Sequence, residues 1–244
     1  MDFLKQMYQS SLKRAAKMPS LEDFPLPVRS FKDALMGMAV IAEVKYATPK
    51  DGLLGITQDP ASLAQSYEKN GARAISCLTE PDFFAGSLDY LGIIRSSCNL
   101  PILMKDFIMD ERQIAAGRAQ GADAVLLITE MLSFQELAEL FVYGSDLGMD
   151  CLVEIHTREG LDKALGIGAP IIGVNSRDLV SLQVDPKRHE ELVGHIPADV
   201  IKVAESGITS GRRLAELKDM GYDAALIGRA LADETRMQEI FHVG

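Results

Sequence analysis

The chain has 244 residues, with 35 Asp and Glu against 25 Lys and Arg, and a formal net charge of −10. That balance offers no basic face of the kind nucleic-acid binding needs, and no apolar run approaches the roughly 18 residues of a membrane span. An acidic chain can still bind an anionic small molecule, because a few local lysines decide that.

The first segment reads as a basic amphipathic helix. Phe3, Leu4, Met7, Tyr8, Ser11, Leu12 and Ala15 fall on one face, and Lys5, Lys13, Arg14 and Lys17 lie largely on the rest. The pattern predicts a helix packed on its own domain rather than a signal peptide, and with it a cytoplasmic location. Cys77, Cys98 and Cys151 are widely spaced and form no CxxC. Cys77 and Cys151 lie inside apolar runs, as buried thiols of a reducing compartment do.

From residue 39 a punctuation recurs. "NGARAISCL", "QGADAVLLI", "LGMDCLVEI", "IGAPIIGVN" and "MGYDAALIG" share one shape: a helix-like segment ends, a Gly follows, then an apolar run begins. Gly suits the left-handed position after a helix, and a short continuous apolar run suits a strand buried on both faces of a parallel sheet. Eight such runs occur, at 39–45, 72–79, 101–105, 122–128, 151–155, 170–174, 200–204 and 223–227. Amphipathic stretches separate them, at 60–70, 87–97, 110–120, 133–147, 158–166 and 210–220. Asp59-Pro60 supplies a cap with Pro at the first helical position, and Ser133 with Glu136 spells a capping box. Strand and helix alternating eight times predict an α/β fold, a (β/α)₈ TIM barrel. The whole of 1–244 reads as one domain, with an N-terminal helical extension over 1–38 and the barrel over 39–244. A doubly wound open sheet is the alternative, weakened because no GxGxxG or Walker loop follows any run.

In such a barrel the chemistry lies at the C-terminal ends of the strands. The first run carries Glu43 and Lys45, two apart and therefore on one face. The later runs end in Thr79-Glu80, Lys105-Asp106, Thr129-Glu130, Glu154 with His156, Asn175 with Arg177, Glu205-Ser206, and Gly228-Arg229. Two lysines and several carboxylates inside apolar runs cost several kcal/mol per desolvated ion unless they are paired, which marks a site. "AESGI" and "LIGRAL" place Gly207 and Gly228 after the last two strands, where many barrels bind phosphate on backbone N–H groups. "HEELVGH" (189–195) spaces its histidines six apart, where a zinc-protease helix needs four; it reads as a solvated helix. His156 reads as a rim residue or a minor member of the site, and His242 and the tail carry no signal.

The motifs "IAEVK", "LTEPDFFAGS", "PILMKDFI", "VEIH", "IGVNSRDL", "VAESGI" and "LIG" occur in the order and spacing of indole-3-glycerol phosphate synthase. The chain resembles that family over roughly residues 30 to 240. The resemblance implies a lyase of tryptophan synthesis. It would close a ring in 1-(2-carboxyphenylamino)-1-deoxyribulose 5-phosphate, with loss of carbon dioxide and water and with no cofactor or metal. It implies Lys105 as general acid, its pKa lowered by neighbouring cations, and Glu154 as general base. Lys45 would bind the substrate carboxylate or phosphate and act in the dehydration. Glu43 and Asn175 would orient these groups and the sugar hydroxyls, with Glu205 in the same network. Ser206, Gly207, Gly228 and the backbone of Arg229 would hold the phosphate, and Phe83 or Phe84 would pack on the anthranilate ring. Thr48 keeps a hydroxyl where the family has a Ser-Pro-Ser run, whereas Tyr46 replaces a basic residue and Arg229 replaces a serine. The only partner implied is the phosphorylated small molecule, with no nucleic acid or membrane, and both a monomer and a homodimer are left open. Two other readings rank lower. Phosphoribosylanthranilate isomerase, a similar barrel, needs a cysteine base on the first strand, which has none. A non-catalytic phosphosugar-binding barrel predicts broken acid and base positions, and these are present.

Overall fold

A computed structural model describes residues 3–241 of the chain. Eight parallel strands close into a barrel: β1 (Ala39–Val44), β4 (Ala74–Leu78), β5 (Ile102–Lys105), β6 (Ala124–Ile128), β7 (Asp150–Ile155), β8 (Ile171–Asn175), β9 (Ile201–Glu205) and β10 (Ala224–Ile227). Each pairs in parallel with its neighbours, and β10 closes on β1 with Ala39 opposite Ala224. The eight apolar runs of the sequence are these eight strands, and they are buried almost throughout. Among the described residues no helix is long and apolar enough to cross a membrane.

The helices between strands start and stop where local chemistry dictates. α3 (Pro60–Asn70) begins on Asp59, whose carboxylate accepts from the Ala61 and Ser62 amides at 3.0 Å, and it ends on Gly71 at φ 106°. α7 (Phe134–Asp146) begins on the Ser133/Glu136 capping box. The five glycines that precede apolar runs, Gly71, Gly121, Gly148, Gly168 and Gly221, all have positive φ, so the punctuation marks a real backbone requirement. The remaining predicted helices form as α5 (Asp89–Ser97), α6 (Glu111–Ala119), α8 (Arg158–Gly166) and α10 (Gly211–Asp219).

Several short elements were not anticipated. A small hairpin, β2 (Ala47–Thr48) with β3 (Gly52–Leu53), follows β1, and α4 (Pro81–Phe84) follows β4. α9 (Lys187–Val193), a 3₁₀ turn over Arg229–Ala232 and α11 (Glu234–Phe241) complete the wall. α9 contains the first of the "HEELVGH" histidines, but His189 is fully buried rather than solvated, with Nε2 3.0 Å from the Glu205 carbonyl oxygen, and His195 lies just past the helix end. Burial pushes the His189 pKa down to about 4, against the effect of the bond that Nε2 donates to the Glu205 carbonyl oxygen. His242 lies outside the described residues.

The N-terminal extension clamps the barrel at both ends. α1 (Phe3–Ala15) buries Met7, Ser11 and Ala15 on the end where the strands finish. There Arg14 makes a two-pronged ion pair with Asp106 at 2.6 and 2.9 Å, and the Ser11 hydroxyl donates to the Phe107 carbonyl oxygen. Near α2 (Phe31–Ala34) the chain has reached the opposite end. There the Arg29 amide donates to Asp123 at 2.7 Å and the Lys32 amide to Asp150 at 2.8 Å. Asp123 also takes Arg95 at 2.8 Å and the Ile102 amide at 2.9 Å.

Candidate active site

Side chains two apart on a strand share a face, and inward residues of alternate barrel strands form layers of four. Ile41, Leu103, Leu152 and Val203, on β1, β5, β7 and β9, are fully buried and make one such layer. Two residues further along the same four strands stand Glu43, Lys105, Glu154 and Glu205. The next layer of the interior is thus one ammonium among three carboxylates. Lys105 Nζ lies 2.6 Å from Glu205 and 3.8 Å from each of Glu43 and Glu154. Lys45, just past the end of β1, pairs with Glu43. The packing of bare backbone makes room for this layer: a Cβ at Gly173 would overlap the Glu205 carboxylate, and one at Gly228 would overlap that of Glu43.

The electrostatics follow from that count. Burial opposes the charge of Lys105, but Glu205, Glu43 and Glu154 outweigh it and raise its pKa. This corrects the expectation of a lysine depressed by neighbouring cations: its closest charged neighbours are anions. Burial alone would push the Glu43 carboxyl up, yet Lys45 and Lys105 hold it below its ordinary value. Glu205 is fully buried and goes the other way, because desolvation and the facing Glu154 carboxylate exceed the pull of Lys105. With Glu205 carrying a proton, two ammoniums balance two carboxylates.

Above this layer opens a cavity of about 660 Å³, within the range of small-molecule sites. Its floor is Glu43, Lys105, Glu154 and Asn175. Asn175 is buried, and its side-chain oxygen accepts from the Arg177 amide at 2.9 Å. One wall is apolar, from Phe3, Phe84, Phe107, Leu126, Ile128 and Leu179. The other end is made by the turns after β9 and β10, where Ser206 and Gly207 both take left-handed backbone at φ 65° and 72°. Such a conformation in a serine is strained and is found where a backbone is aimed at something. Lys45 Nζ sits against the Gly228 turn, 3.0 Å from where a Cβ would be.

The structure brings together nearly every residue singled out from the sequence, with distinctions. Phe84 faces the cavity, whereas Phe83 turns outward, edge-on to Phe3 at 5.5 Å. Thr48 lines the cavity but its hydroxyl is engaged with Asp51 at 3.1 Å. Arg229 is 67% exposed and paired with the same Asp51 at 3.0 Å. Tyr46 does not line the cavity; its hydroxyl donates to the Gln58 carbonyl oxygen and its ring meets Tyr90 at 5.6 Å. Of the strand-end polar residues, Glu80 accepts from the amides of Asp82, Phe83 and Phe84 and so caps α4, and Asp106 is taken by Arg14 and Thr79. Phe3 and Phe107 were missed as site residues. Phe107 lies two positions beyond Lys105 in a motif already noted, but nothing in the sequence near the barrel signals Phe3.

Comparison with known proteins adds a second line of observation. The family model described as "Indole-3-glycerol phosphate synthase" matches residues 3–242. Curated proteins of that name are similar over most of the chain. The one from Campylobacter jejuni is 47% identical over 201 residues, 82% of this chain and 78% of the relative. The one from Acetivibrio thermocellus is 48% identical over 191 residues, 78% of this chain and 74% of the relative. The one from Chlorobium luteolum is 44% identical over 209 residues, 84% of this chain and 80% of the relative. Among solved structures, one described as "Native KDPGal structure" aligns with TM-score 0.60 over 88% of this chain and 95% of that one, at 14% identity. That last likeness speaks to the fold alone.

Proposed function

The chain belongs to the indole-3-glycerol phosphate synthase family, and on that premise we propose that the charged layer of four is its acid–base machinery. The protein is a carbon–carbon lyase of tryptophan synthesis that makes indole-3-glycerol phosphate. The observation that carries the residue-level reading is the position of Lys105. It is the one ammonium in a ring of three carboxyl groups, directly under a cavity with an apolar wall on one side and the Ser206-Gly207 and Gly228 turns on the other.

The substrate, 1-(2-carboxyphenylamino)-1-deoxyribulose 5-phosphate, has an aromatic end, a ketose middle and a phosphate end, and the cavity is divided in the same order. Phe84, with Phe107 at 6.2 Å between ring centres, takes the anthranilate ring against the apolar wall. Ser206, Gly207, Gly228 and the Arg229 backbone take the phosphate, in the position after the last two strands where barrels bind phosphate. Lys45, set against the Gly228 turn, serves the phosphate end and the ribulose oxygens. The ketose carbonyl then lies over Lys105.

Ring closure puts developing negative charge on the carbonyl oxygen. Lys105, kept protonated by the acidic groups around it, donates to that oxygen as general acid. Carbon dioxide leaves from the ring carbon that formed the new bond. Dehydration removes the hydroxyl, and Glu154 takes the proton whose loss makes the indole aromatic. Glu43 holds Lys45, while Glu205 and Asn175 hold Lys105 and the sugar hydroxyls in register. Incubation of the purified protein with this substrate, a chelator being present, tests the reading: indole fluorescence rises if it is right. Thermal stabilisation by the substrate without any fluorescence would make the protein a phosphosugar-binding barrel.

A further inference from the structure

Next to Glu154 a second set of polar side chains leads away from the site. His156, just past the end of β7, is buried and stands between two carboxylates. Its Nδ1 is 2.9 Å from Glu130 Oε2, and its Nε2 is 3.4 Å from Glu154 Oε1. Glu130 is itself fixed. It accepts from the His156 amide at 2.9 Å through Oε1 and from the Thr129 hydroxyl at 2.9 Å through Oε2. A Cβ on Gly160, in the first turn of α8, would press on Thr129 Oγ1 and Glu130 Oε1 at 2.6 and 2.9 Å. The helix start is thus bare where the Glu130 carboxylate sits.

From this geometry we propose that His156, held by Glu130, is a positioning residue that carries the proton Glu154 acquires in each turnover out to solvent, on the side away from the substrate. The inference rests on the reading of Glu154 as the general base. A carboxylate at Nδ1 selects the tautomer with its proton there and leaves the Nε2 lone pair facing Glu154. Nε2 makes no hydrogen bond in the resting protein, and neither does Glu154 Oε2. Exposure rises along the path, from 2% for the Glu154 side chain through 5% for His156 to 21% for Glu130. A substrate filling the cavity shuts Glu154 from water on its own side, so a route through the wall is the open one.

The groups facing the imidazole favour the transfer. Glu130 lies on the turn after β6, Glu154 on β7 and Glu205 on β9; Lys163 of α8 is turned to the Thr129 and Leu132 carbonyl oxygens at 3.2 and 3.1 Å. Burial opposes charge on the ring, but the bond to Glu130 and the Glu154 and Glu130 carboxylates together raise its pKa. In the step, the Glu154 O–H bond breaks and an N–H bond forms at Nε2. The imidazolium gives its Nδ1 proton through Glu130 to water, which leaves the ring as the Nε2–H tautomer. Once product has left and water re-enters the cavity that Glu154 lines, Nε2 gives its proton back through Glu154 to that water and Nδ1 regains one through Glu130, so the ring is reset. One proton moves from Glu154 to solvent, and no electrons are transferred.

The test is steady-state kinetics of His156→Gln, Glu130→Gln and Glu154→Gln with the carboxyphenylamino-deoxyribulose phosphate. His156→Gln and Glu130→Gln should each lower kcat about tenfold or more, with KM changed less than about twofold. Added imidazole should restore part of the kcat of His156→Ala, which a purely structural role would not allow. Wild-type kcat and pH profile in His156→Gln, or a loss confined to KM with no rescue, overturns the proposal. Should the His156 variants fail to fold, Glu130→Gln carries the same comparison. Near-normal turnover in Glu154→Gln would instead remove the base reading. Inactive Glu154→Gln beside normal His156→Gln would leave the base and remove only the relay.

Discussion

Lys105 and Glu205, one hundred positions apart in the chain, meet at 2.6 Å in the middle of the barrel. Glu205 is fully buried and Lys105 largely so, and neither is tolerable there alone: a lone desolvated ion is penalised by several kcal/mol. The barrel supplies the partners by symmetry of construction. Alternate strands deliver one side chain each to the same height, so four residues scattered over 43 to 205 become a single ring. That ring has one more carboxylate than the nearby ammoniums can balance, and the surplus falls on Glu205.

The surplus has a pH signature. Burial and Glu154 push the Glu205 carboxyl up to about 8, from 4.5 in an unfolded chain. Between those values the folded protein keeps a proton that the unfolded chain has released, so stability falls as pH rises through the window. Glu205→Gln removes this dependence. The Tm of the wild type, measured relative to Glu205→Gln, should decrease steadily from about pH 4.5 to about pH 8; parallel curves would contradict the assignment.

Gly228 is bare because Glu43 needs the space. A methyl group there would overlap the Glu43 carboxylate and crowd Lys45 Nζ. Gly228→Ala should therefore lower kcat/KM about tenfold or more, since a displacement of about 1 Å in a site is enough for that. Thermal unfolding should change little. A variant with wild-type kcat/KM would show that Glu43 and Lys45 are not held by this turn.

The two clamps of the N-terminal extension should behave differently. Arg14→Ala removes a two-pronged bond to buried Asp106 and should lower stability by about 2 kcal/mol. Because α1 also delivers Phe3 to the cavity, it should raise KM as well. Asp123→Ala, at the far end of the barrel, strands Arg95 and two backbone amides. It should cost about 3 kcal/mol or more and leave KM unchanged. Chemical denaturation and KM, measured on both variants, separate the two effects.

Much of this was readable in advance, and the reasons are physical. A parallel barrel strand is buried on both faces, so its signal is a dense apolar run that needs no long-range information. The glycine punctuation was equally local, because each Gly answers a backbone requirement at its own position. Glu43 and Lys45 announced themselves by interrupting such a run. The sequence did not reveal which neighbours each charge would have. Lys105 was expected among cations because strand order alone does not say what stands at 3.8 Å across a closed barrel. Phe3 could not be placed either, since α1 docks through Ser11 and Arg14 on residues about a hundred positions away. His189 looked solvated because its helix is polar, but the ring turns inward to the Glu205 carbonyl oxygen.

The most direct test of the acid–base ring is turnover of Lys105→Ala and Glu154→Ala with the carboxyphenylamino-deoxyribulose phosphate, alongside thermal unfolding of both. The account predicts that each loses roughly 10²-fold or more in kcat while still folding cooperatively. Two folded variants with near-normal turnover would contradict it, and the chemistry would then have to be sought elsewhere in the cavity.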